Sequence, residues 1–266
     1  MTPLPLALLG WAALAAAMLV VWLRQVRTRD ASTVDVVWTF GLGGLGVLYA
    51  LLAEGWAPRR ALVGLLAACW ALRLGSHLGR RVARAEEEDP RYAELRREKG
   101  AGFDRFAFWF FQVQALQATV QSLAFLLLCV SAAEPMWRWV DVLGLAIGLS
   151  GIVGESVADR QLAAWKRDPA QRGRTCRAGL WRYSRHPNYF FEWVHWCAYP
   201  VIGIGLPWGG LLWLAPAIML FLLLRVTGIP PAEARALASR GDDYRRYQAA
   251  TNAFFPGPPR PEPPTV

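Results

Sequence analysis

Charge is scarce in this sequence. Only 18% of its 266 residues are Asp, Glu, Lys or Arg, against roughly 25% in ordinary soluble domains. Cysteine is sparse as well: Cys69, Cys129, Cys176 and Cys197 show no C-x-x-C spacing, so neither a disulfide framework nor a zinc site is indicated. No internal repeat is visible, which argues against an inverted-repeat transporter. The first apolar stretch lacks the basic flank of a signal peptide and is long enough to span a bilayer, so it reads as a retained helix.

Apolar runs fill the space that charge leaves. Hydrophobic residues make up 55% of the chain, including 14 Trp. Stretches of about 20 apolar residues, each long enough to cross a bilayer, recur near 4–23, 35–54, 60–79, 107–130, 138–158, 190–206 and 208–226. The expectation is an all-α polytopic membrane protein with about seven transmembrane helices. Residues 1–257 would form one membrane-embedded domain, with 107–257 as its ligand-binding part. The proline-rich 258–266 would be a disordered tail.

The net charge of +9 follows topology and is no sign of nucleic-acid binding. Arg24, Arg27 and Arg29 follow the first run, whereas the next loop has only Arg59 and Arg60. Segments 80–106 and 159–189 carry eight basic residues each, and the turn at 207–210 carries none. Basic loops mark the cytoplasmic side. The N-terminus is therefore expected outside and the C-terminus in the cytoplasm.

Ionisable groups inside apolar runs are expensive and carry functional weight. Arg73 stands four residues before His77 on one helix face, where snorkelling is the plain alternative. Asp35 opens the second run, as a cap or as a partner for Arg73. Glu155 and Asp159 are again four apart, ahead of Lys166 and Arg167. Gln114, Gln117 and Gln121 form a polar stripe that suits packing against neighbouring helices better than a ligand cavity.

Residues 179–192, G-L-W-R-Y-S-R-H-P-N-Y-F-F-E, gather Arg182, Arg185, His186, Asn188 and Glu192 around Pro187. Proline is favoured in a first helical turn, and a helix start attracts anions. These charges allow either a headgroup-facing loop or a phosphate site. A second polar segment carries Glu233, Arg240, Tyr244 and Tyr247 and belongs to the same compartment.

Three segments, A-D-R-Q-L-A-A-W-K, the 179–192 motif and Y-R-R-Y-Q-A-A-T-N-A-F-F-P, resemble the steroid 5α-reductase C-terminal-domain family, and in particular its bacterial membrane-protein branch. W-A-L-R-L-G-S-H-L and E-D-P-R-Y extend the likeness over roughly 33–257. The R-H-P-x-Y core is shared with sterol reductases and isoprenylcysteine carboxyl methyltransferases. The resemblance implies a seven-helix fold holding NADPH in a cytoplasm-facing cavity, with Asp159, Asn188 and Glu192 as cofactor contacts. Likeness to sterol reductases adds Lys166, Arg167, Glu233 and Tyr244. Arg182, Arg185 and His186 would take phosphate on charge grounds.

Two departures stand out. Phe191 occupies a position that is usually Gly in the family pattern. No Tyr lies in the 60–79 run to pair with the acid, for which Asp35 is the nearest candidate, so Arg73 or His77 would supply the electrophilic donor. The expected activity is NADPH-dependent reduction of a C=C bond in a lipophilic enone or a sterol- or isoprenoid-like molecule drawn from the membrane lipids. An S-adenosylmethionine-dependent methyltransferase is the alternative. The expected location is a bacterial inner membrane, without nucleic-acid partners.

Overall fold

A computed structural model describes residues 2–131 and 136–261, and every regular element among them is helical. Helices α1 (Pro3–Thr28), α2 (Val34–Leu52), α3 (Ala57–Arg84), α4 (Pro90–Lys99) and α5 (Phe103–Val130) are followed by α6 (Trp139–Arg167). Then come α7 (Pro187–Ile202), α8 (Leu214–Phe221), α9 (Ile229–Arg240) and α10 (Asp242–Ala250). Six helical segments are long and apolar enough to cross a bilayer: those of α1, α2, α3 and α6, the run Pro90–Val130 and the run Gly209–Arg240. The sixth of the seven expected crossings, 190–206, corresponds to α7, whose 16 residues fall short of the ~20 that one span requires. Pro200 stands inside it and a turn follows. The outward faces are apolar, as for Leu65, Leu72 and Trp139, which suits lipid contact. The chain is an integral membrane protein by this measure.

Two compact units share the chain. The first runs from the N-terminus to Leu145 and includes Tyr199–Ala215; the second comprises Ala146–Ala198 and the chain from Pro216 onward. The boundary falls within α6, and α5 belongs to the first unit.

Small residues set the packing of the first unit. Gly43 and Gly46 of α2 face Ala71 and Ala67 of α3, and Gly64 of α3 faces Ala50. Helices in lipid gain little from apolar burial, so this close approach supplies the van der Waals contact that holds them. Fully buried Trp70, Tyr49, Phe111 and Phe125 fill the space beside the seam. The glutamine stripe is used the same way. Gln117 accepts from the Trp38 indole at 2.9 Å and donates to Gln121 at 3.3 Å, while Gln121 donates to the Ala215 carbonyl at 3.3 Å.

At one end of this unit Asp141 is fully buried between Arg138, at 2.8 Å, and the equally buried Arg59, at 3.5 Å. Arg138 also donates to the carbonyls of Ile202 and Ile204. This anchors the start of α6 to the end of α7. The four cysteines are free thiols.

In the second unit α6 and α7 cross at a glycine notch. A Cβ on Gly151 would stand 2.6 Å from the His195 backbone nitrogen, and one on Gly154 would strike the Phe191 ring. The tail is partly docked: the Arg260 amide donates to the Ala250 carbonyl at 2.8 Å. The rest of the expected disordered tail, 262–266, lies outside the described residues, as does 132–135.

Replacing Gly43 by Val is expected to lower thermal stability in detergent by about 1–3 kcal/mol through overpacking. Gly44→Ala, where an added Cβ meets nothing within 4 Å, is the control. Its melting midpoint is expected to hold or rise slightly.

Candidate functional site

The start of α7 is held by the chain's last two helices. Pro187 opens the helix. Just before it the Ser184 hydroxyl accepts from the His186 amide at 3.1 Å and donates to the Phe254 carbonyl at 2.8 Å. Backbone bonds add two ties, from Arg185 N–H to the Asn252 carbonyl at 2.9 Å and from Gly257 N–H to Tyr183 at 3.0 Å. Phe190 and Trp193, on the first turns of α7, meet the rings of Phe254 and Phe255 edge-on.

Glu233 is the acceptor on which this region converges. Its Oε1 takes Arg185 Nε at 2.7 Å, His186 Nε2 at 3.2 Å and the Tyr244 hydroxyl at 3.3 Å. Its Oε2 takes Gln248 Nε2 at 2.8 Å. Arg185 also donates to the carbonyls of Gln248, at 3.1 Å, and Thr251, at 2.5 Å. A guanidinium used in this way braces α10 against α7. Arg182, the other arginine of the motif, is exposed.

Burial, opposed by the Glu233 carboxylate, pushes the His186 imidazole below its ordinary value. The ring is therefore neutral at pH 7, with Nε2–H as donor to Glu233, and it stacks on Tyr189. Burial likewise raises the Tyr244 phenol to about 12, so it stays a donor. Gly241, with φ +50°, makes the corner that lets α10 return beside α9. Beyond that corner Asp243 accepts the Thr175 amide at 2.7 Å and pairs with Arg177 at 3.0 Å.

A second contact links α6 to α7. Asn188 Nδ2 donates to Asp159 Oδ1 at 3.2 Å, while its carbonyl oxygen accepts the Tyr189 amide at 3.0 Å. One turn on, buried Glu192 accepts the Trp196 indole at 2.9 Å. Phe191, the departure from the family pattern, lays its ring where Gly154 has no side chain, so α6 absorbs its bulk. Lys166 and Arg167 end α6 and are exposed. Of the expected ligand-site residues, the structure thus joins Asp159 to Asn188, and Arg185, His186 and Tyr244 to Glu233.

The three residues expected to do chemistry lie in the first unit. α2 and α3 are antiparallel there: Gly75 faces the Phe40 ring and Gly79 approaches Val36. On that register Asp35, in the first turn of α2, stands level with the α3 turn just beyond Gly79, past His77 and about two turns from Arg73. Asp35 accepts Arg91 Nη2 at 2.6 Å and the Tyr92 hydroxyl at 2.8 Å. Sequence reasoning sought a tyrosine in α3 and missed Tyr92. The signal was the Asp-Pro at 89–90, which starts α4 and turns it back: Asp89 caps the helix through the Arg91 amide at 3.0 Å.

Comparison with known proteins places the chain in a family. It belongs to the family described as "Protein of unknown function (DUF1295)", whose model matches residues 21–251. Searches of curated proteins and of solved structures each return no match.

Glu233→Ala is expected to cost about 2–4 kcal/mol, because it leaves several partly buried donors without their acceptor. Limited proteolysis should then cut α9 and α10 from an otherwise intact chain. The His186 shift adds a pH effect. The folded state binds that proton less tightly than the unfolded chain, so its contribution is complete above about 6.5 and is lost as pH falls through the lowered value. The melting midpoint of the wild type should drop over that window, and that of His186→Gln should drop less.

Proposed function

We propose that this DUF1295 chain is a membrane oxidoreductase that uses NADPH to reduce a C=C bond of a lipophilic enone or a sterol- or isoprenoid-like molecule. The proposal includes the kinship to steroid 5α-reductases that the motifs suggest. The observation that carries it is the Asp159–Asn188 bond at 3.2 Å, beside the Glu233 network on the same first turn of α7. It gathers the carboxylates of Asp159 from α6 and Glu233 from α9, the Asn188 amide from α7 and the Arg185 cation just before α7 at one helix start.

The donor set fits the cofactor's chemistry. Exposed Arg182, together with Lys166 and Arg167, suits a doubly charged 2′-phosphate and a pyrophosphate. Asn188 and the carboxylates of Asp159 and Glu192 suit the ribose hydroxyls and the carboxamide. Glu233, Tyr244, Arg185 and His186 hold the wall in place. When bound, NADPH supplies the reducing equivalent to the C=C bond. The protein's share is to polarise the substrate carbonyl, which is proposed for Asp35, Arg73 and His77, with Tyr92 added as the hydroxyl partner of Asp35.

The proposed setting is a bacterial inner membrane, with the N-terminus outside and the cofactor wall in the cytoplasm, as basic loops indicate. That orientation needs an odd number of crossings, with α7 added to the six long apolar segments. The 16 residues of α7 reach about 24 Å, and the turn after it would complete the passage.

Purified full-length chain in detergent is expected to gain thermal stability with NADPH, and less with NADH, which lacks the 2′-phosphate. Arg182→Gln should reduce that preference, and Asn188→Ala should weaken both, each by about tenfold for one charge-assisted contact. Stabilisation by S-adenosylmethionine alone would assign the wall to methyl transfer. No response to any of the three would remove the cofactor reading.

A further inference from the structure

A groove of about 480 Å³ runs along the outer face of α5, lined by Gly102, Arg105, Phe106, Trp109, Phe110 and Val113. It lies in the first unit and has no part in the proposed cofactor wall. Its floor is apolar, and Trp109 and Val113 are 62% and 60% exposed. From Gly102 to Val113 the helix rises about 16 Å, close to half of the ~30 Å hydrocarbon core. That is the reach of one acyl chain within one leaflet.

The polar end of the groove differs from its floor. Arg105 is exposed and, among the described residues, has no ion-pair or hydrogen-bond partner. The nearby acids are already engaged: Asp104 pairs with Arg29 at 3.5 Å and accepts from Gln25 at 3.2 Å, and Glu98 holds Lys99 at 2.7 Å. Lys99 Nζ also stands 5.4 Å from the centre of the Phe106 ring. The mouth of the groove therefore carries uncompensated positive charge, and a tryptophan one turn deeper suits the headgroup boundary.

We infer that this groove is a binding site for one anionic phospholipid, with an acyl chain along Phe106, Trp109, Phe110 and Val113 and the headgroup phosphate at Arg105. A zwitterionic lipid fills the same floor but brings its own cation to the mouth, where it meets Arg105. One cation near the surface favours an anionic headgroup by a factor of about five.

Native mass spectrometry of the full chain, titrated with phosphatidylglycerol or with phosphatidylcholine of the same acyl chains, tests the site. The wild type should bind phosphatidylglycerol about fivefold more tightly. Arg105→Gln should lose that preference yet keep the phosphatidylcholine affinity, and Arg105→Lys should retain the preference. Val113→Trp, which fills the groove, should weaken both lipids. Equal binding of the two lipids by the wild type would overturn the site, as would a preference that survives in Arg105→Gln.

Discussion

Glu233 accepts Arg185, His186 and Tyr244 at one oxygen and Gln248 at the other, and the second unit is organised around this carboxylate. Its four donors lie 11 to 48 residues away in sequence. The chain must therefore complete α9 and α10 before the start of α7 acquires its final form. Arg185 extends the tie by reaching two carbonyls at the end of α10. Those carbonyls lie at a helix C-terminus, where a cation is favoured.

The same economy governs the first unit by different means. A bilayer offers apolar surface everywhere, so contact area alone does not choose which helices pair. Glycine and alanine at the seam of α2 and α3 make that choice by permitting close approach. Polar residues then mark particular depths: the Arg59–Asp141–Arg138 group at one end, and Asp35 with Arg91 and Tyr92 at the other. Each buried charge there has an opposite charge within 4 Å, which offsets much of the cost of taking it out of water.

Arg185 and Arg182 show how identical residue types acquire different roles. Three positions apart, they read alike in sequence as phosphate ligands. In the structure Arg185 is turned inward to brace the tail, and Arg182 is left exposed. A motif names the residues at a helix start; it does not say which of them the protein uses on itself. Phe191 makes the complementary point. Along the chain it reads as a departure from the family pattern, but Gly154 on another helix receives its ring.

The sequence by itself determined the all-helical membrane class, because runs of apolar residues and sparse charge leave few alternatives in lipid. It also determined the start of α7 at Pro187 and the packing use of the glutamine stripe, both of which follow from local spacing. Only the tertiary structure decided that α7 is shorter than a full span, since a turn at 203–206 ends it inside an apolar run. Only the tertiary structure could pair Asp35 with Tyr92 or bring Glu233 to His186. Those contacts bridge 57 and 47 residues, and local periodicity holds no information about which distant donor a buried carboxylate will meet.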